Sequence, residues 1–289
     1  MRKEIILPGA ALFGGIAGFF LRRWELHSAF EAETGLAIPG APATLALILL
    51  SFGMAAVFFL LVRGQHRAFS GGYDQAFAAK GNTVYLLAML LSALLLLTAG
   101  LSLAVAAVGQ VSAQLAVPSD QSRLQSLLAA FPQLLLALLC LGACCGVAFT
   151  GKRHYRGDAG EKYSFSLLLP AYMACLWLIC AYQVRAGDPV QLDYIYELLA
   201  IIFALLAFYF TAGFSFEHGK VSRTVFFSLL AVYFSFVTLA DGHGLPHTAL
   251  YLFVIIYLLT STLLLLFNDR GPRVPQQEEI KPEVTPNEG

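Results

Sequence analysis

The sequence predicts an all-α polytopic transmembrane helical bundle of about eight spans with both termini in the cytoplasm, and three observations predict it. The first is a shortage of charge. Soluble domains carry about a quarter of their residues as Asp, Glu, Lys and Arg. This chain carries 12%, against 58% apolar residues, too little polar surface to cover a folded globule in water. The second is the length of the apolar runs. A helix needs roughly 20 such residues to cross about 30 Å of hydrocarbon, where unpaired peptide groups are too costly to persist. The third is the placement of the basic residues, which resist translocation.

Apolar runs that meet or approach the spanning length fall at 5–21, 43–62, 83–109, 127–150, 163–184, 194–216, 224–240 and 248–267, the first and seventh being short. Met1-Arg2-Lys3-Glu4 before an apolar run has the outline of a signal peptide. It lacks a small-x-small cleavage site and leads directly into Arg22-Arg23-Trp24, so it reads as an uncleaved first span. With the amino terminus inside, all 18 basic residues except Arg22, Arg23, Arg123 and Arg185 fall on the cytoplasmic side. The domain organisation expected is a transmembrane domain over 1–267 and a disordered cytoplasmic tail over 268–289. That tail holds Pro272, Pro275, Pro282, Pro286 and several glutamates.

Two connections carry further expectations. Residues 24–42 read as an outer loop, extended from Gly35 to Pro42 because Pro and Gly break both helix and ladder. The inner loop 63–82 spaces Phe69, Tyr73 and Phe77 four residues apart, an aromatic stripe suited to the membrane interface if helical. Gly71-Gly72 weakens that helix by about 1 kcal/mol per glycine, and an ordinary polar loop is the alternative.

Net charge is zero, so nothing invites nucleic acid. The partner expected is the lipid bilayer, with protein partners in a membrane complex as a second expectation. All five cysteines lie in apolar runs, which argues against a disulfide framework. Cys140 and Cys144 share a helix face beside Cys145, a set that could take Cu(I). Gly142 and Gly146 on the same span, and Gly14 and Gly18 on the first, point instead to close helix packing. No Walker loop, Gly-x-Gly-x-x-Gly turn, His-Glu-x-x-His or Gly-x-Ser-x-Gly is present, so no cofactor and no catalytic residue is assigned. None of the histidines falls deep in a predicted span, which argues against bis-histidine haem within the bundle.

Ionisable groups are expensive inside a bilayer. The deepest acid expected is Glu197, about one turn into the sixth span, and no midplane carboxylate of the kind that ion-coupled carriers use is evident. Polar groups gather on the outer face instead. The candidate ligand-binding residues are Arg22, Arg23, Arg185, Glu197, Asp241, His243 and His247. Arg22 and Arg23 either hold an anionic group or pair with Glu25, Glu197 or Asp241, or they touch lipid phosphate and snorkel. Asp188 and Asp193 flank the turn between the fifth and sixth spans. Asp241, His243 and His247 offer a carboxylate and two imidazoles within seven residues, chemistry suited to zinc. Their spacing matches no zinc signature, and a Gly/Pro-rich polar turn accounts for them without metal.

Tyr172, Tyr209, Tyr233 and Tyr257 lie deep in their predicted spans and need hydroxyl partners, either around a polar cavity or between helices. Glycine, basic residues and histidine recur where spans exit inward, at His66, His154 and His218. That pattern suits a ring of histidines, or simply glycine-ended helices on the positive side. The function expected is a multi-pass membrane component of transport or permease type for a small solute. The alternative is a non-catalytic anchor or scaffold subunit of a redox or signalling complex. An enzyme built on Asp241, His243 and His247 is the weakest reading.

Overall fold

The computed structural model describes residues 3–31, 33–63, 69, 72–116, 123–157, 164–185, 187, 190–216 and 218–269. Its helices are α1 (Lys3–Ser28), α2 (Pro42–Val62), α3 (Gly72–Ala76), α4 (Thr83–Ala116), α5 (Arg123–Arg156), α6 (Ser164–Arg185), α7 (Gln191–Ala212), α8 (Val221–Thr238) and α9 (Leu245–Asp269). All except the five-residue α3 are long and apolar enough to cross a membrane, eight candidate spans among the described residues. Strands are absent there, apart from one isolated bridge between Phe30 and Ala37. That bridge closes the α1–α2 connection, where Gly35 and Gly40 both take positive φ. Pro42 then opens α2, at a position where its missing N–H would be unpaired in any case.

α1 runs past the predicted end at Leu21 to Ser28, so Arg22, Arg23, Glu25 and His27 are helical rather than part of a loop. Nothing between Arg23 and Gly35 breaks a helix by itself, and two of the added charges, Arg22 and Glu25, find partners inside the bundle. At the other terminus α9 continues two residues beyond the expected domain boundary. There the Asn268 amide donates to the carbonyls of Ala76 (2.9 Å) and Ala78 (3.2 Å). The rest of the predicted tail, 270–289, lies outside the described residues.

α8 is the axis of the fold. It is 72% buried over its most apolar window and packs against α1, α2, α7 and α9. α2 is only 17% buried and leaves Leu49 and Phe52 facing outward. α4, α5, α6 and α7 follow one another as neighbours around the remaining side, and α4 closes onto α9. Close approach at the axis depends on small residues. A Cβ at Gly15 would stand 2.6 Å from the Phe236 ring, and one at Gly18 would stand 2.7 Å from Val237. Gly14 of the same stripe faces Met54 of α2.

The bundle has two ends, called below the Arg22 end and the His154 end. Residues 72–82 fold inward at the His154 end, with Tyr73, Ala76 and Phe77 all buried. The aromatic stripe of this loop therefore fills the bundle end instead of lying along the interface. Tyr73 stacks on Phe77 at 4.6 Å, and Phe77 meets Phe214 edge-on at 5.4 Å. Of the tyrosines expected to be deep, Tyr233 and Tyr257 are buried, whereas Tyr172 and Tyr209 face outward from the bundle. The Ser51 hydroxyl donates to the Leu47 carbonyl, leaving its oxygen to accept from Tyr233 at 2.9 Å.

Candidate functional site

The extension of α1 carries Arg22 into the bundle, where its side chain and that of Glu25 are both fully buried. Four acceptors take four of the five guanidinium N–H donors. Nε donates to Asp241 (2.7 Å), Nη1 to Glu25 (2.8 Å) and to the Leu192 carbonyl (3.1 Å), and Nη2 to the Asp193 carbonyl (2.7 Å). The Tyr196 ring covers it at 5.2 Å. Arg22 is therefore not a snorkelling residue. Of the three carboxylates considered for it, the structure supplies Glu25 and Asp241. Glu197 belongs to Arg185, which also holds Asp193 at 3.2 Å. Asp193 thus joins the two arginines, taking Arg22 on its backbone and Arg185 on its side chain.

The network continues along α8 and α9. The Thr238 hydroxyl donates to Asp241 (3.0 Å), so the contact of its oxygen with His243 Nε2 (3.1 Å) makes that ring nitrogen the donor. His243 packs on Tyr251 at 5.0 Å, and His247 lies 6.4 Å from His243 between ring centroids. The oxygens of Asp241 are occupied by Arg22 and Thr238. Among the described residues no group of three His, Cys, Asp or Glu side chains is placed to hold a metal ion. Arg23, one residue from Arg22, points outward and shares no contact with the network among the described residues. Asp188 lies outside the described residues.

Glu25 is more buried than Glu197, the acid expected to lie deepest. Two arginines, Arg22 and Arg185, face four carboxylates, those of Glu25, Asp193, Glu197 and Asp241. One Glu25 oxygen, Oε1, is buried without a partner among the described residues. Deeper on α6, α8 and α9, Trp177 Nε1 and Ser235 Oγ are likewise buried and unpartnered there. The Tyr251 hydroxyl lies close to Thr238 without a well-formed hydrogen bond. Sequence reading missed Thr238, Trp177, Ser235 and Tyr251. Tyr251 follows His247 by one helical turn, the spacing that would have placed both on one face.

Of the ring of histidines expected at the opposite end, two members are described, and they differ in burial. His154 is buried, His218 is exposed, and His66 lies outside the described residues. His154 Nδ1 donates to the Phe77 carbonyl (2.9 Å), and Nε2 faces the Asp74 carboxylate at 3.5 Å. Burial, together with Tyr257 and Tyr85, pushes the Tyr73 phenol well above its ordinary value, so it stays a neutral hydrogen-bonding group. Cys140 is buried, whereas Cys145 and Cys175 are exposed on the bundle surface.

Fold and composition define the class as a multi-pass α-helical membrane protein. Comparison with protein-family models, with curated proteins and with solved structures finds no match for the chain.

Proposed function

We propose that the chain is a transport or permease-type membrane component that recognises a small cationic solute at the Arg22 end, with that end outside and both termini in the cytoplasm. The observation that carries this reading is the charge inventory of the buried cluster. Four carboxylates against two guanidiniums leave a local excess of negative charge, and Glu25 Oε1 is buried without a partner among the described residues. A buried unpaired acceptor costs about 1–3 kcal/mol, more when charged. An ammonium or similar donor would satisfy it and reduce the excess. Ser235 Oγ, the Tyr251 hydroxyl and Trp177 Nε1 are further buried polar atoms without a hydrogen-bond partner among the described residues.

The test is a thermal-stability screen of the purified protein against small amines and small carboxylates. Stabilisation by amines that is lost in Glu25→Gln supports the reading. Stabilisation by carboxylates alone, or an amine response that persists in Glu25→Gln, sinks it. Alkaline-phosphatase fusions after Gly35 and after Gly242 should both be active, and inactivity of either breaks the orientation. The anchor or scaffold reading draws support from α2, whose exposed apolar residues offer a lateral surface for a partner helix. A stoichiometric partner protein retained in native mass spectrometry from mild detergent would favour it.

A further inference from the structure

α2 and α7 both pack on α8, and an open cleft of about 640 Å³ lies between them at the His154 end. The volume falls in the range of small-molecule sites. Its walls are aromatic, with Phe59 from α2, Phe210 from α7 and Phe226 and Phe227 from α8. Phe210 and Phe227 stack nearly parallel at 5.4 Å, and Phe59 meets Phe226 edge-on at 6.2 Å. Two arginines stand at the rim, Arg63 immediately after α2 and Arg223 in the first turn of α8. Each guanidinium is drawn over a wall ring, Arg63 at 5.2 Å from Phe59 and Arg223 at 5.9 Å from Phe210. Among the described residues no carboxylate pairs with either. That separates them from Arg22 and Arg185, which are held by acids.

The helix ends set the depth. Arg63 and Arg223 sit where two spans leave the membrane, at the level of lipid headgroups, while the four phenylalanines lie on the bilayer side of them. An anionic group at the rim and hydrocarbon against the walls is the chemistry of one amphiphile. We propose that this cleft binds an anionic phospholipid of the leaflet at the His154 end. Its phosphate sits between Arg63 and Arg223, and an acyl chain lies against Phe210, Phe226 and Phe227. A free anion would have no use for aromatic walls, and a zwitterionic lipid would gain less from the arginines because its headgroup cation offsets its phosphate.

The experiment uses the full chain, purified and delipidated in detergent, with phosphatidylglycerol, phosphatidylcholine of the same chains and inorganic phosphate as probes. Phosphatidylglycerol should raise Tm more than phosphatidylcholine, and phosphate alone should not raise it. The variant R63Q/R223Q should bind phosphatidylglycerol about thirtyfold more weakly, close to the phosphatidylcholine level. Both side chains are exposed, so the exchange leaves the packing of α2, α7 and α8 in place. A phosphatidylglycerol with a photoreactive acyl chain, applied to the unmodified protein, should label peptides containing Phe210 or Phe226–Phe227. Equal response to both lipids, an unchanged preference in R63Q/R223Q, a shift reproduced by phosphate, or labelling confined to other helices would each overturn the proposal. So would a protein subunit found to occupy the cleft. None of these readouts involves the Arg22 end, so they stand or fall apart from the solute reading.

Discussion

At the Arg22 end, α1, α6, α7 and the turn between α8 and α9 meet around two arginines and four carboxylates, whereas at the His154 end residues 72–82, α5 and α9 meet around Tyr73, Phe77 and His154. The first closure is made of charge, and each charged side chain in it has a named partner at hydrogen-bond distance, with Glu25 Oε1 alone of these carboxylate oxygens buried without one among the described residues. The second is made of aromatic area, trimmed by a few hydrogen bonds to backbone carbonyls. The difference matters because the two fail differently. Removing one member of a buried ion-pair network strands the others in low dielectric. Removing an aromatic ring leaves a cavity into which neighbours relax in part.

The largest effect should follow Arg22→Met, which strands Glu25, Asp241 and two carbonyls together. A loss of about 3–5 kcal/mol is expected in denaturant unfolding in detergent. Adding Glu25→Gln should recover part of it, and failure to recover any would break the picture of a charge-built closure. Phe77→Ala should cost about 3 kcal/mol at the other end. Limited proteolysis within 72–82 should quicken while the Arg22 end stays protected. Should both ends loosen together, the two closures are one cooperative unit and the comparison fails.

Asn268→Ala removes both donations to the Ala76 and Ala78 carbonyls and should cost about 1–2 kcal/mol. Amide hydrogen exchange should report it as faster exchange over residues 72–82 alone. The smallest effect belongs to Tyr233→Phe, which deletes the bond to Ser51 that ties α8 to α2 midway between the ends. About 0.6 kcal/mol is expected, the usual size of such a bond within a membrane bundle. A loss several times larger would mean that the axis, rather than either end, limits stability.

The fold was legible because its cause is local. A run such as 248–267 must be helical in hydrocarbon whatever surrounds it, and the helix α9 covers that run. The site was legible in part. Arg185, Glu197, Asp241 and His243 were marked by their chemistry near helix ends, and the structure brings them close together. Arg23 carried the same mark and turns outward, because 100° of helical rotation separates it from Arg22. Phe69, Tyr73 and Phe77 were expected at the membrane interface if helical, or in a polar loop; the helix spans only Gly72–Ala76, and Tyr73 and Phe77 are buried at the bundle end. The sequence carried no sign that Phe214 and His154 would be waiting at the bundle end. Thr238, Ser235 and Trp177 were passed over because an uncharged residue in an apolar span looks like packing until its neighbours are known.

Composition and run length by themselves determined that this is a helical membrane protein with about eight spans. The cost of an unpaired peptide group in hydrocarbon acts residue by residue and needs no partner. Which charges are buried, and with whom, was decided by tertiary structure. Arg22 and Asp241 stand 219 positions apart and meet at 2.7 Å only because α1 packs against α8 through Gly15 and Gly18. Helical periodicity orients a side chain around its own axis. It does not say which helix stands opposite, and that choice turned an exposed-looking Arg22 into a fully buried residue.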